Sequence, residues 1–175
     1  MIKRQNDMAP VIIFAFNRLD ALINVITSLL LNEEAQESDL FVFVDGAREG
    51  KVGERELVCS VCRYIENIVG FKSVNYTFSE TNKGLGNSVI KGVTEVISRY
   101  GKAIVLEDDL ILAPNFLFFM NQGLDKYKEE TSVFSICGYS NKVKVPKDYS
   151  YDTYFCTRSS CLLYTSPSPR DRSLS

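Results

Sequence analysis

Three consecutive carboxylates, Glu107, Asp108 and Asp109, are the residues of this sequence best suited to carry chemistry. They directly follow the apolar run Ala103–Leu106, and ligands of open α/β sheets bind outside the carboxyl ends of the strands. Adjacent anions repel one another, and Mg²⁺ or Mn²⁺ prefers oxygen ligands. The triplet therefore predicts a divalent metal ion that bridges a diphosphate. A solvated acidic turn is the alternative interpretation.

The residues after the first apolar run of the chain offer a cationic group. Phe16, Asn17 and Arg18 lie at the end of that run and precede a helical pattern. A guanidinium beside the free amides of a helix N-terminus favours a phosphate or the edge of a nucleotide base. The alternative is a surface arginine at the start of a helix.

A glycine-containing loop, Asn-Lys-Gly-Leu-Gly, begins at Asn82 and precedes another helical pattern. Gly84 permits close approach of a ligand to the backbone, and Lys83 adds a point charge for a diphosphate. The loop lacks the Gly-Lys-Ser/Thr ending of a Walker loop. A plain helix-initiating loop is the other interpretation.

The elements that must position these residues alternate along the chain. Short apolar runs rich in β-branched or aromatic residues predict strands buried on both faces at Val11–Phe16, Leu40–Val44 and Ala103–Leu106, and a further strand is predicted at Val74–Phe78. Apolar residues spaced near 3.6 predict helices between them, marked by Leu22, Ile26 and Leu29, by Leu57, Val61 and Ile65, and by Val89, Val93 and Val96. This alternation predicts an α/β fold with a mostly parallel, Rossmann-like sheet flanked by helices.

Two further elements are predicted after the acidic triplet. Pro114 suits the first turn of a helix that continues to about Tyr127. The apolar segment Val133–Cys137 predicts one more strand.

Composition narrows the class of protein. The chain has 175 residues, 45% apolar and 24% charged, which suits a single soluble domain. A net charge of −2 gives no general attraction to nucleic acid, so no nucleic-acid partner is expected. No signal sequence or membrane-spanning run is recognisable, and five cysteines without a secretory signal favour a cytoplasmic location.

Two groups of residues receive ordinary interpretations. Cys59 and Cys62 fall inside a helical pattern, and the chain has no histidine and no second pair to complete a zinc site. Lys142, Lys144 and Lys147 could meet an anionic acceptor or lipid headgroups in a peripheral membrane association. A solvated loop is the alternative for the lysines.

The stretch Val-Leu-Glu-Asp-Asp-Leu-Ile-Leu-Ala-Pro-Asn-Phe-Leu resembles the acidic metal motif of GT-A glycosyltransferases. It is most similar to the motif of the N-acetylglucosaminyltransferase I type, which uses Glu-Asp-Asp. The likeness extends to the opening Ala-Pro-Val-Ile-Ile-Phe-Ala-Phe-Asn-Arg and covers roughly Pro10–Ser160. The Asn-x-Gly loop resembles one that is common among family-2 glycosyltransferases.

The resemblance implies roles for individual residues. Asp109 would be the direct ligand of Mn²⁺ or Mg²⁺, while Glu107 and Asp108 would contact the ribose or donor sugar or orient metal-bound water. Arg18 would bind the donor. Asp45, which ends the run Leu40–Val44, would accept a hydrogen bond from the uracil ring. From its residues alone, Asp45 with the following glycine is a tight turn.

The implied activity is a metal-assisted, inverting hexosyl transfer from a nucleotide-diphosphate sugar, a UDP-sugar in the first instance, to a glycan or lipid-linked acceptor. Bacterial surface-polysaccharide assembly is the implied setting. A nucleotidyltransferase and a non-catalytic nucleotide-sugar-binding module are the rival functions. Nucleotidyltransferases typically carry a glycine-rich basic loop after the first strand, and the segment Phe14–Arg18 contains no glycine.

The end of the sequence differs in kind from the rest. Residues 162–175 are dominated by serine, proline and arginine, resemble translated adapter sequence, and predict a non-native or disordered tail after a donor-binding domain of residues 1–161. Proteins of the resembling type continue after Ser-Ser into a tryptophan-containing acceptor segment, whereas this chain has no tryptophan. We therefore expect a truncated domain that binds donor but turns over poorly, and no general base is assigned.

Overall fold

The computed structural model describes residues 8–139, 144, 146–151, 153–157 and 164–165. Within them, strands and helices alternate as predicted. The strands are β1 Val11–Ala15, β2 Asp39–Val44, β3 Ser73–Phe78, β4 Ile104–Glu107, β5 Ile136–Cys137 and β6 Tyr164–Thr165. The helices are α1 Leu19–Leu30, α2 Glu54–Ile65, α3 Leu85–Tyr100 and α4 Phe116–Tyr127, with a 3₁₀ helix at Glu33–Glu37.

The strands form one sheet in the order β3-β2-β1-β4-β6-β5. The first four are parallel, and β6 pairs antiparallel with both β4 and β5. The chain runs outward from β1 to β3 and then crosses to β4 on the opposite side of β1, so the strand order reverses between β1 and β4. Such a reversal opens a crevice at the carboxyl ends of the two strands. The predicted α/β fold with a parallel sheet flanked by helices is confirmed.

Strands β1, β2 and β4 are largely buried, which explains their near-continuous apolar sequences, whereas β3 is partly exposed. One face of the sheet packs against α1, α2 and α4 through Val11, Ile13, Leu22, Leu40, Val61, Leu106, Leu117 and Met120. The other face packs against α3 through Ile12, Phe14, Phe41, Val96 and Val105. Alternate residues of β1 thus face opposite layers, and its carboxyl end is held between them.

Three boundaries differ from the sequence prediction. Helix α4 begins at Phe116, because the Phe116 N–H donates to Ala113 in a tight turn that contains Pro114. The predicted strand Val133–Cys137 shrinks to its last two residues, because the Val133 N–H donates to Glu130 in a turn. Leu57 in α2 is half exposed, so it does not belong to the buried stripe of that helix.

The region beyond residue 139 is described in part. Tyr164 and Thr165 of β6 fall within the segment predicted to be a tail, and the rest of that segment lies outside the described residues. Lys144 and Lys147 are exposed, while Lys142 lies outside the described residues. Across the part of the chain that the structure describes, no helix has the length and apolar character needed to cross a membrane.

Candidate functional site

A cleft of about 310 Å³ opens at the carboxyl ends of β1, β2 and β4, next to the start of α3. Its polar lining comes from four separate places in the sequence. These are Asn17 and Arg18 after β1, Asp45 and Arg48 after β2, Asn82, Gly84 and Ser88 around the start of α3, and Glu107 and Asp108 at the end of β4. The cleft therefore lies at the point where the strand order reverses.

Arg18 joins the ends of β1 and β4. Its Nη2 donates to Asp108 Oδ1, and its Nη1 donates to Asp109 Oδ2 at 3.0 Å. The Asp108 side chain is only 5% exposed, whereas that of Asp109 is 44% exposed. The register pairs Phe14 with Glu107, so the residues that follow these two strands necessarily meet.

The charges of this group depend on one another. Burial raises the pKa of Asp108, and the hydrogen bond from Arg18 opposes that rise. The same hydrogen bond raises the pKa of Arg18. A carboxylate that is removed from water is costly unless it is paired, so the hydrogen bond from Arg18 offsets part of the cost of burying Asp108.

Asp45 binds the loop that precedes α3. Its Oδ1 accepts hydrogen bonds from the backbone N–H groups of Gly46 at 3.0 Å and Lys83 at 2.8 Å. Its Oδ2 accepts one from the N–H of Gly84 at 2.8 Å. Since each carboxylate oxygen has two lone pairs, Oδ2 retains one for a further donor. Asp45 thus positions the loop and still lines the cleft.

The two loops on this side of the cleft lie in direct backbone contact. A Cβ on Gly46 would come within 2.5 Å of the Thr81 carbonyl carbon, so only glycine fits there. Asn82 Nδ2 donates to the Gly46 carbonyl at 2.8 Å. Gly84 has a φ of +80°, a backbone conformation that is strained for other residues. It precedes the first residue of α3, next to the cleft.

The floor of the cleft is aromatic. The rings of Phe14 and Phe43 stack with their centroids 5.5 Å apart. Gly92 of α3 packs on both, because a Cβ there would lie 2.9 Å from atoms of each ring. The floor is therefore fixed by the packing of α3 on the sheet.

Arg48 was not identified from the sequence. Its Nε lies 3.1 Å from both carboxylate oxygens of Glu54, and its guanidinium carbon lies 5.6 Å from the centroid of the Phe16 ring. Its backbone N–H also donates to Glu54 Oε2 at 2.7 Å. Its place shortly after β2, at the same sheet edge as Asp45, is the signal that could have indicated it.

The structure brings together seven of the nine predicted site residues as cleft lining: Phe16, Asn17, Arg18, Asp45, Gly84, Glu107 and Asp108. Asp109 lies beside the cleft and is held there by Arg18. Lys83 instead lines an adjacent groove of about 370 Å³ between β3 and α3. The backbone N–H of Lys83 still contacts a residue of the cleft, because it donates a hydrogen bond to Asp45.

The donor set for a metal ion is small. Among the described residues, no three histidine, cysteine, aspartate or glutamate side chains form a group that could hold a metal ion. Mg²⁺, however, commonly binds to one or two carboxylates together with substrate phosphates and water. Asp109 fits that smaller set because its side chain is 44% exposed, whereas that of Asp108 is 5% exposed and paired with Arg18.

Comparisons with known proteins bear on the fold. The sequence matches no protein-family model and no curated protein. Two solved structures are similar: the crystal structure of S. aureus TarS and that of S. aureus TarS 1–349, with TM-scores of 0.50 and 0.51. Both are 14% identical in sequence to this chain, and each alignment covers 79% of it. The aligned part spans only 23% of the TarS chain and 38% of the TarS 1–349 chain. TarS is a glycosyltransferase. The likeness shows that this chain has a Rossmann-like fold of the kind found in that glycosyltransferase.

Proposed function

We propose that this chain is the donor-binding part of a glycosyltransferase that takes a nucleotide-diphosphate sugar, a UDP-sugar in the first instance. One observation carries the proposal: side chains from the ends of β1, β2 and β4 line a single cleft where the strand order reverses. The structural likeness to TarS supports the transferase class.

The charge balance of the cleft supports a divalent cation as cofactor. Two arginines, Arg18 and Arg48, face a larger set of carboxylates, namely Asp45, Glu54, Glu107, Asp108 and Asp109. A diphosphate that enters such a cleft meets net negative charge, so its binding requires additional positive charge. Mn²⁺ or Mg²⁺ at Asp109 would supply that charge and stabilise the departing diphosphate without proton transfer.

Different residues of the chain would then bind different parts of the donor. Asp109 is the exposed carboxylate and the proposed metal ligand, while Asp108 stays with Arg18. Arg18, at the start of α1, and the first turn of α3 would face the phosphates. Asp45 would offer its remaining lone pair to the base, and Glu107 would face the ribose or the sugar. The acceptor would be a glycan or a lipid-linked glycan.

Calorimetric titration with UDP, in the presence and absence of Mn²⁺, tests the proposal. We expect binding that depends on Mn²⁺ and that weakens at least about tenfold in Asp109→Asn, since even outer-shell partners of a metal contribute this much. Asp125→Asn is a matched control, because Asp125 is 43% exposed and also pairs with a cation, Lys102, at 3.6 Å. Metal-independent binding, or equal losses in the two variants, would count against the proposal.

A further inference from the structure

Arg48 and Glu54 form a second charged pair at the cleft, on the side away from the acidic triplet. Both carboxylate oxygens of Glu54 accept hydrogen bonds from the Arg48 side chain, and one also accepts the Arg48 backbone N–H. The Glu54 side chain is only 7% exposed, whereas that of Arg48 is 54% exposed. The buried Glu54 side chain therefore fixes the position of Arg48, and the exposed Arg48 side chain lines the cleft.

The Arg48–Glu54 pair lines the cleft with a planar guanidinium group but adds little net positive charge. The hydrogen bonds raise the pKa of Arg48 and lower that of Glu54, so both groups stay charged and compensate each other. Two-point pairing with a carboxylate fixes the orientation of the guanidinium plane.

The surroundings of Arg48 suit a flat, uncharged ring. The guanidinium carbon lies 5.6 Å from the Phe16 ring centroid, and arginine planes stack on aromatic faces. Arg48 follows β2, while the acidic triplet ends β4, and β1 lies between these strands. At the usual spacing of neighbouring strands, the two ends are roughly 10 Å apart. A donor whose diphosphate lies at the triplet would thus place its nucleoside towards Arg48.

We propose that the planar guanidinium of Arg48 contacts the base of the nucleotide. Its hydrogen bonds to Glu54 and its packing on Phe16 fix its orientation. Every base has a flat face, so this contact contributes affinity while Asp45 is left to read the base edge. Glu54 is a positioning residue in this arrangement, since it acts only through Arg48. The inference rests on the proposed nucleotide-binding function.

Two kinds of ligand, with and without a base, separate contact with the base from contact with phosphate. Calorimetric titrations with nucleoside diphosphates (UDP, CDP, GDP and ADP) and with pyrophosphate, all with Mn²⁺, are compared for the unchanged chain, Arg48→Ala and Arg48→Lys. We expect both variants to bind the preferred nucleoside diphosphate about tenfold more weakly, the scale of one stacking contact, with pyrophosphate binding unchanged. Lysine keeps the charge but lacks the plane, so it should not rescue the affinity.

A matched control is available on α3. The guanidinium of Arg99 lies over Tyr100 at 5.1 Å and does not line the cleft, so Arg99→Lys removes a similar contact elsewhere and should leave both affinities unchanged. Glu54→Gln should weaken nucleotide binding less than Arg48→Ala and leave pyrophosphate binding unchanged. Thermal unfolding of each variant verifies that it is folded.

The possible failures are distinguishable. Equal losses for nucleotide and pyrophosphate, or full rescue by Arg48→Lys, would assign Arg48 to the phosphates and overturn the inference. Unchanged nucleotide binding in Arg48→Ala, alongside a loss in Asp109→Asn, would overturn it while the proposed function stands. If the unchanged chain binds none of the nucleoside diphosphates, the proposed function fails and the inference fails with it.

Discussion

Arg18 donates a hydrogen bond to the buried carboxylate of Asp108, which lies 90 residues further along the chain. The two residues follow the neighbouring parallel strands β1 and β4, so this contact joins the carboxyl ends of these strands at the point where the strand order reverses. The same guanidinium also reaches Asp109. One cation therefore contacts both Asp109, the proposed metal ligand, and the buried Asp108 next to it, so its removal should affect stability and ligand binding together.

Arg18→Ala is expected to lower the free energy of unfolding by about 1 kcal/mol, because a charged hydrogen bond is lost but the arginine is half exposed and screened by solvent. Urea denaturation measures the change. A double-mutant cycle with Asp108→Asn isolates the pairing, since the Arg18 substitution should cost less once Asp108 is neutral. Additive effects of the two substitutions would contradict the pairing.

Asp45→Asn is expected to release the loop before α3. The carboxylate accepts three backbone N–H groups, whereas an asparagine has one acceptor oxygen and an NH₂ group that cannot accept. A backbone donor left without its partner costs about 1–3 kcal/mol. Hydrogen exchange should show faster exchange at the amides of Lys83 and Gly84. Asn87→Ala, which removes an exposed hydrogen bond to Lys83 O, is the control and should leave those amides protected.

Gly46→Ala should push apart the two loops beside the cleft. The added Cβ would meet the Thr81 backbone at 2.5–2.8 Å, and backbone cannot yield as a flexible side chain can. Overpacking of this kind costs about 1–3 kcal/mol of unfolding free energy, and nucleotide affinity should fall with it. Gly86→Ala is the matched control, because a Cβ there meets nothing within 4 Å and alanine favours the helix. Equal unfolding free energies for the two variants would show that the loops do not touch.

The sequence predicted the sheet and the location of the site because both depend on local patterns. Apolar runs marked β1, β2 and β4, and the polar residues at or just after the carboxyl ends of these strands, such as Arg18, Asp45 and Glu107, lie at one end of a parallel sheet. The sequence did not predict Arg48, because its position depends on Glu54 in one element and Phe16 in another.

The contacts of Asp45 and the ends of some elements were also beyond the sequence patterns. Asp45 is bonded to the backbone N–H groups of Lys83 and Gly84, and every non-proline residue carries such a group, so residue types give no sign of the pairing. The apolar segment from Val133 predicted a strand, but the Val133 N–H donates a hydrogen bond to the Glu130 carbonyl in a turn, so the strand is shorter than predicted. The metal ligand and the base contact stay predictions that the binding experiments test.

The Arg48–Glu54 pair should give the protein a specific pH dependence. The hydrogen bond from Arg48 holds the pKa of Glu54 below its ordinary value of 4.5. A lowered pKa in the folded state means that the pair stabilises the protein fully above 4.5, and that this contribution is lost as the pH falls through the folded-state value. Urea denaturation from neutral pH downwards should therefore show a loss of stability below 4.5 that is smaller in Glu54→Gln. Arg48→Met should reduce the slope equally, since it leaves Glu54 without the partner that lowers its pKa. A slope that persists in both variants would mean that other carboxylates produce it.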